Sequence, residues 1–193
     1  MMAPASQLAA QEELVTDISQ HLISIQSNFT GAELLLFGAV GGEATGERDL
    51  VDVVRGPDTP AVVRRKARIG GIWVNYCSAE MENIPGYYAV VSTRALTDIA
   101  PPAVLERHGI GTNFLGFKSP GSETEPPPAE YAAAVTRIKS DEGLFLEQPG
   151  GVLFLGTSLF RATIEMPANV PDGKYSARVY LFSDGNVVQA QTS

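Results

Sequence analysis

Short runs of β-branched and aromatic residues recur along this sequence every 8 to 14 residues, and turns containing glycine or proline separate them. Successive strands joined by short turns are typical of antiparallel sheets, because parallel strands need a long crossover between them. The clearest pair flanks Asp184-Gly185, since Asp-Gly between two alternating runs is the strongest short signal for a hairpin. The sequence therefore predicts a mainly β, antiparallel fold.

Two kinds of pattern distinguish the predicted strands. Several alternate apolar and polar residues, as half-buried strands do, whereas residues 33–40 form a nearly continuous apolar run that predicts a fully buried central strand. Strands are predicted at residues 14–18, 21–25, 33–40, 50–55, 61–68, 71–75, 87–92, 144–146, 152–155, 159–164, 174–182 and 187–190.

The approach to the strand at 174–182 predicts a particular sandwich corner. Pro171-Asp172-Gly173 forms a turn, and Tyr175 begins the series of residues that alternate onto one face of the strand. In immunoglobulin-like sandwiches, a tyrosine at this corner donates its hydroxyl to the backbone a few residues upstream. We therefore expect an antiparallel immunoglobulin-like β sandwich whose two sheets take strands from both ends of the chain.

The middle of the chain predicts a short helical insertion at the rim of this sandwich, over about residues 98–143. A first helix near residues 100–108 has Asp98 as its cap and Gly109 as its terminator. A second helix over residues 129–141 carries apolar side chains at the i, i+4 and i+7 positions that form one helical face.

Domain organisation follows from these elements. We expect residues 13–193 to form a single β-sandwich domain with the helical insertion, and two separate small β domains are the alternative. Residues 1–12 are expected to be a flexible stump, because the small apolar residues at 4–10 resemble a signal-peptidase site, although no basic or long apolar region precedes them. No run of 18 apolar residues occurs, so no segment of the sequence is expected to span a bilayer.

Composition disfavours several classes of function. The chain carries 14 basic and 22 acidic residues, a net charge of −8, whereas a nucleic-acid binder needs a basic face. A single cysteine, Cys77, excludes an intramolecular disulfide. His21 and His108 are the only histidines, so the chain is poor in zinc ligands, and both are expected to be structural.

Signatures of catalysis are also missing. Residues 156–160 fail the G-x-S-x-G pattern at its last position. The glycine-rich loop at 41–46 lacks the lysine and the serine or threonine of a Walker loop. We therefore predict no enzymatic activity, no catalytic residue, no cofactor and no metal site.

The densest charge cluster consists of Arg64, Arg65, Lys66 and Arg68 within one predicted strand. It is either a docking patch for an anionic ligand, lipid headgroups or an acidic partner, or a protection of an exposed edge strand against aggregation. Adjacent arginines point to opposite faces of a strand, so at most half of the cluster is expected to share one patch. We therefore favour edge protection.

Two further residues are secondary candidates. Trp73 is expected in the core, and its alternative role is a stacking platform for a sugar, together with Tyr87 and Tyr88. His108 ends a predicted helix, where a cation complements the helix dipole without a catalytic role. The aromatic residues and the arginines of the cluster would serve the alternative function, a ligand-binding module for a small anion or sugar.

Seven segments, in their order and spacing, resemble one known family. The segments are QHLISI (20–25), LFGA (36–39), VVRGP (53–57), VVRRK (62–66), GIWVN (71–75), YAVVSTR (88–94) and RHGIG (107–111). From about Leu14 to its C-terminus the chain resembles the alphaproteobacterial putative transmembrane protein family. None of the seven segments is a catalytic signature, so no catalytic residue is carried over from the family.

The resemblance implies a topology and a class of partner. Proteins of that family resemble type I membrane proteins, with a signal peptide, an exported domain and one C-terminal membrane helix, and this chain is expected to be the exported domain alone. The implied location is the periplasmic side of the inner membrane, with contact to the membrane only through an anchor outside this sequence. An association with sulfite-exporter-like permeases implies a non-enzymatic accessory role beside an inner-membrane transporter or envelope complex. No nucleic-acid partner is expected.

Overall fold

A computed structural model of the chain describes residues 14–18, 30–42, 47–119 and 129–192. Strands make up 52 % and helices 18 % of the structure, so the predicted mainly β class is confirmed. The strand predicted at residues 21–25, the histidine at position 21 and the stump predicted at residues 1–12 lie outside the described residues.

The described strands and helices follow the predicted order closely. The strands are β1 (Leu14–Ile18), β2 (Ala32–Val40), β3 (Arg48–Arg55), β4 (Ala61–Ile69), β5 (Ile72–Met81), β6 (Tyr88–Ser92), β7 (Phe145–Pro149), β8 (Val152–Leu155), β9 (Leu159–Met166), β10 (Ser176–Ser183) and β11 (Asn186–Thr192). The helices are α1 (Leu96–Ile99), α2 (Pro102–His108) and α3 (Ala129–Asp141), and a 3-10 turn spans Thr112–Phe114.

Two larger sheets and one hairpin contain these strands. One sheet has the order β1-β2-β9-β8, the other has the order β11-β10-β3-β6-β7, and β4 pairs only with β5 among the described strands. Each larger sheet thus combines strands from both ends of the chain, as predicted. Residues of both sheets join one cluster of buried apolar side chains.

One pair of strands departs from the antiparallel prediction. β7 lies parallel to β6, with Tyr88 opposite Phe145 and Ser92 opposite Pro149. A parallel neighbour requires the chain to return to the end from which it started, and the segment that contains α1, α2 and α3 provides this crossover. The helical segment predicted as an insertion at the rim therefore connects two adjacent strands of the sheet.

The first predicted helix is divided in two. Ala100 has an extended backbone, because proline at position 101 disfavours the helical conformation of the residue before it. Asp98 therefore lies inside α1 instead of capping a longer helix, and α2 starts at Pro102. Gly109 ends α2 in the left-handed conformation, with φ of 63°, as predicted.

β2 is only half buried, so its predicted full burial is wrong. Leu34 and Leu36 are buried, whereas Leu35 and Phe37 are 36 % and 43 % exposed. β2 is a central strand between β1 and β9, but only one face of that sheet faces the shared core. The fully buried strand is instead β6, all five of whose residues are buried.

The predicted tyrosine corner is confirmed. The Tyr175 hydroxyl donates to the carbonyl of Pro171 at 2.6 Å, and the ring packs against Tyr87 with 6.1 Å between centroids. Burial raises the pKa of Tyr175 to about 12. The corner fixes the chain where it enters β10.

Asp52 is an exception in this apolar core. Its side chain is fully buried on β3 between Val91 of β6 and Val179 of β10, and neither carboxyl oxygen has a hydrogen-bond partner among the described residues. Burial raises its pKa from 3.8 to about 8, so the carboxyl is mainly protonated at neutral pH.

The Asp52→Asn variant should remove a pH-dependent part of the stability. Because the pKa is raised in the folded state, this contribution is full below about pH 4 and is lost as the pH rises to about 8. We expect the wild-type free energy of unfolding to fall relative to the variant by up to about 1.4 kcal/mol per pH unit in this range. Urea unfolding at pH 5 and pH 7.5 measures the difference. An Asp141→Asn control, at an exposed position, should keep the wild-type slope.

The Tyr175→Phe variant tests the corner. It removes one hydrogen bond and keeps the ring, so we expect a loss of about 1 kcal/mol in the free energy of unfolding. Tyr131→Phe is the matched control, because that ring also packs against the core. Equal losses in the two variants would show that the Tyr175 hydrogen bond does not stabilise the corner.

Candidate functional site

A long hairpin, which we call the arm (residues 61–81), contains the predicted charge cluster. β4 and β5 pair from Ala61 opposite Met81 to Ile69 opposite Ile72. The nine residues of β4 extend over about 30 Å at the rise of a β-strand. Neither strand pairs with any third strand in the described parts of the chain, so the arm has two open edges.

A two-residue turn closes the distal end of the arm. Gly70 and Gly71 have φ of +61° and +88°, as a type I′ turn requires at both central positions. Residues other than glycine rarely adopt these backbone angles. A Cβ atom would meet no neighbour within 4 Å at either position, so crowding is not the reason for glycine. Backbone conformation alone therefore selects glycine in this turn.

The charge cluster is divided unequally between the faces of the arm. Alternation along β4 places Arg64, Lys66 and Arg68 on one face and Arg65 on the other. Trp73 lies opposite Arg68 and joins the first face, which we call the cationic face. The expectation that at most half of the cluster shares one patch is therefore wrong. Arg64, Lys66 and Arg68 are each two positions apart, because Ala67 lies between the last two, and residues two apart share one face of a strand.

The opposite face of the arm is largely apolar and contacts the body of the protein near its base. The apolar residues on this face are Ala61, Val63, Ala67, Ile69, Ile72, Val74, Ala79 and Met81. Arg65 extends from it to Glu130 of α3, with 3.1 Å between Nη1 and Oε1. Both side chains are more than half exposed, so this ion pair orients the arm and adds little stability.

Large apolar side chains are exposed at the distal end, which we call the tip (residues 69–73). Ile69, Ile72 and Trp73 are 54 %, 69 % and 66 % exposed. The predicted core position of Trp73 is therefore wrong, because the arm extends beyond the two larger sheets. Tyr87 and Tyr88 are fully buried, so the structure does not bring Trp73 and these tyrosines together as a sugar platform. Clustered exposed apolar residues are typical of interaction sites.

The charge of the arm opposes that of the remaining chain. Residues 61–81 contain four basic residues and one acidic residue, Glu80, which lies opposite Val62 near the base. The remaining 10 basic and 21 acidic residues give the rest of the chain a net charge of −11. Positive charge is therefore concentrated on the arm.

A second group of basic side chains lies at the base of the arm, in a cleft of about 230 Å³ on the outer face of the five-stranded sheet. We call this site the cleft. Its lining includes three basic side chains and no acidic one. The lining residues are Val53, Arg55, Tyr88, His108, Gly109, Phe114, Leu115, Gly116, Ser176, Arg178 and Tyr180.

Arg55 joins the cleft to the two chain segments that enter and leave the arm at its base. Its Nη2 donates to Asp58, just before β4, at 2.7 Å. The same atom donates to the carbonyl and side-chain oxygens of Asn83, just after β5, at 3.2 and 3.1 Å. Asn83 has φ of +60°, and its side-chain amide donates to the carbonyl of Gly116 in the cleft wall. Arg55 therefore ties the two strands of the arm together where they leave the body.

The other two basic side chains of the cleft, Arg178 and His108, meet at Tyr180. Arg178 donates through Nη1 to the Tyr180 hydroxyl at 3.4 Å and through Nε to the Thr192 hydroxyl at 3.1 Å. The His108 ring packs edge-on against Tyr180, with 5.7 Å between centroids. His108 lies in the last turn of α2, as the sequence predicted, and the fold also brings it into the cleft.

Tyr88 fixes the wall of the cleft that carries His108. Its buried hydroxyl donates to the carbonyl of Gly109 at 2.9 Å and accepts from the Gly111 N–H at 3.0 Å. Burial, the largest cause, raises the pKa of Tyr88, so the phenol stays protonated in this role. The loop after α2 is thereby anchored to the sheet.

Sequence reasoning identified the arm residues and His108 but missed Arg55 and Arg178. Both arginines lie on strands, at positions whose side chains point away from the shared core. The only sequence signal was their place in two alternating runs. The pairing of β3 with β10, which brings the two arginines together, is not visible in either run.

Comparison with known proteins identifies one related family. A family model described as "Putative transmembrane protein (Alph_Pro_TM)" matches residues 13–193. No curated relative and no solved structure matches the chain. In the described ranges, no helix has both the length and the apolar character needed to cross a membrane.

Proposed function

We propose that this chain, which belongs to the family of putative transmembrane proteins, is a non-enzymatic binding domain of a membrane-anchored protein and docks through its arm onto a membrane protein. The arm is the observation that carries the proposal, because it exposes apolar and basic residues together on an otherwise acidic chain. The role we propose is that of an accessory subunit of an inner-membrane transporter or envelope complex, such as a sulfite-exporter-like permease.

The chemistry of the arm specifies its partner. Arg64, Lys66 and Arg68 favour an acidic surface, since opposite charges steer encounter and fix orientation. The exposed side chains of the tip favour an apolar depression beside that surface. A tryptophan next to arginines is also a typical composition for the residues that contribute most binding energy.

The open edges of the arm favour a protein over a lipid surface. Among the described strands, neither edge of the arm has a pairing partner, and hydrocarbon offers the backbone groups of an open edge no hydrogen bond. A protein can satisfy these groups by adding a strand or by presenting polar side chains. Only the tip could enter a bilayer without burying the open edges.

Edge protection remains the alternative role of the basic cluster. Lysine and arginine on an open strand prevent pairing with other chains. An equal division of the cations between opposite faces would favour this role, but three of the four share one face. The shared face supports docking as the function to test first.

The fold and its location complete the proposal. We propose an immunoglobulin-like sandwich, supported by the tyrosine corner at Tyr175 and by two sheets around one core. The parallel pair of β6 and β7 is a departure from that topology. We also propose that the domain faces the periplasm and is held at the inner membrane by an anchor.

A triple variant, Arg64→Gln, Lys66→Gln and Arg68→Gln, tests docking. We expect recovery of one stoichiometric membrane protein with the anchored wild type and at least a tenfold weaker association with the variant, because three interfacial charges are lost. The difference should shrink at high salt, where charges are screened over about 8 Å or less. Quantitative cross-linking at 50 mM and 500 mM salt provides the measurement.

The matched control for this experiment neutralises three exposed cations elsewhere, Arg137→Gln, Lys174→Gln and Arg161→Gln. It changes the net charge equally and should retain the partner. Unchanged association together with increased aggregation of the arm variant would assign the cluster to edge protection. Binding of the wild type, but not of the arm variant, to phosphatidylglycerol vesicles in the absence of any protein would identify lipid as the occupant and contradict the proposal.

A fusion experiment tests the proposed location. A reporter that is active only in the cytoplasm, joined after Ser193 and before any anchor in the full-length protein, should be silent. A reporter active only in the periplasm, joined at the same position, should be active. The opposite pair of results would place the domain in the cytoplasm.

A further inference from the structure

We propose that the cleft is a binding site for a small molecule that carries an oxyanion, held between Arg55 and Arg178. The site is separate from the cationic face of the arm and does not depend on docking there. Two arginines line the cleft of an acidic protein, and no carboxylate lies among its lining residues. Asp58, which is not a lining residue, pairs with Arg55 through Nη2.

Arg178 has no neutralising partner in the described part of the chain. Its hydrogen bonds there go through Nε and Nη1 to two hydroxyl groups, those of Thr192 and Tyr180, and none uses Nη2. Within the described residues, no carboxylate lies within ion-pair distance of Arg178. An oxyanion would supply both the missing charge and a hydrogen-bond acceptor.

Arg55 contributes further free donors. All of its hydrogen bonds to described residues use Nη2, so Nε and Nη1 make none within that part of the chain and can serve a ligand. The guanidinium group has five N–H donors in a planar arrangement that suits the two oxygens of a carboxylate or phosphate. The contacts to Asp58 and Asn83 hold the guanidinium group in place through Nη2 and leave the edge formed by Nε and Nη1 available.

Strand pairing brings the two arginines within reach of one ligand. Arg55 lies opposite Ser176, and Arg178 follows Ser176 by two residues on the same face of β10. Such diagonal neighbours are separated by about 7 Å between Cβ atoms, which is a distance that one oxyanion can bridge from two long side chains. The exposed Ser176 lies between the two arginines, where its hydroxyl is a further donor.

The remaining walls of the cleft define the kind of ligand. Val53, Phe114 and Leu115 provide an apolar side, which favours an organic anion over a fully hydrated inorganic ion. A volume of about 230 Å³ lies below the range typical of drug-sized ligands, so the ligand is small. Tyr88 and Asn83 hold the surrounding loops in place through hydrogen bonds to the carbonyls of Gly109 and Gly116.

Calorimetric titration of the chain with benzoate, acetate and phosphate tests the site. We expect saturable binding of one molecule, with benzoate tighter than acetate because its ring contacts the apolar wall. Arg178→Gln should weaken binding at least tenfold. Ser176→Asp should abolish it, since the new carboxylate would occupy the space between the two arginines.

Two controls distinguish this site from general attraction of anions. Arg161→Gln removes an exposed arginine from β9, in the other sheet, and should leave the affinity unchanged. The arm variant that lacks three cations should also bind normally, so failure of the docking proposal would not affect this result. Thermal unfolding verifies that each variant is folded.

Three outcomes would overturn the assignment. These are the absence of saturable binding of all three anions, an equal loss of affinity in Arg161→Gln and Arg178→Gln, and undiminished binding in folded Ser176→Asp. A short peptide with a free C-terminal carboxylate, compared with its amide, distinguishes the possible sources of the anion. Tighter binding of the carboxylate peptide than of benzoate would assign the site to a displayed carboxylate, and weaker binding would assign it to a free small anion.

Discussion

The position of β6 is the constraint on which the rest of the structure depends. All five of its residues are buried, and it pairs with β3 on one side and with β7 on the other. Its antiparallel partner β3 is separated from it in sequence only by the arm, and its parallel partner β7 is separated from it by the three helices. The two connections of one buried strand thus form the arm and one wall of the cleft. The arm extends away from these strand pairs, whereas the cleft is built on them, because β3, β6 and β10 supply part of its lining.

The sequence predicted most elements because their signals are local. Helix α3 has the predicted bounds, and the corner at Tyr175 forms the predicted hydrogen bond, since turn residues and periodicity determine both within a few positions. The parallel pairing of β7 and the exposed position of Trp73 could not be predicted, because each depends on which distant segment lies beside it. The cleft arginines Arg55 and Arg178 could not be predicted as a pair for the same reason, because their proximity arises only from the register of β3 and β10.

Asp52 is an acidic residue in an apolar core. Its carboxyl lies between Val91 and Val179 and has no hydrogen-bond partner among the described residues. A buried charge there would be unfavourable, so the carboxyl is mainly protonated at neutral pH. It lies on β3, the strand that ends with Arg55. Side chains alternate along a strand, so Asp52 faces the core while Arg55 faces the cleft. The protonated acid therefore stabilises none of the cationic groups that define the proposed anion site.

Arg55 contacts the base of the arm and also lines the cleft, so its hydrogen bonds determine whether binding at one site affects the other. Its Nη2 holds Asp58 and Asn83, and among the described residues its Nε and Nη1 have no hydrogen-bond partner. A ligand that uses the free donors does not need to break the contacts at the base of the arm. Conversely, a partner on the cationic face contacts side chains that do not line the cleft. The shared arginine thus joins the two sites mechanically, but its separate hydrogen-bonding edges allow each site to be occupied independently of the other.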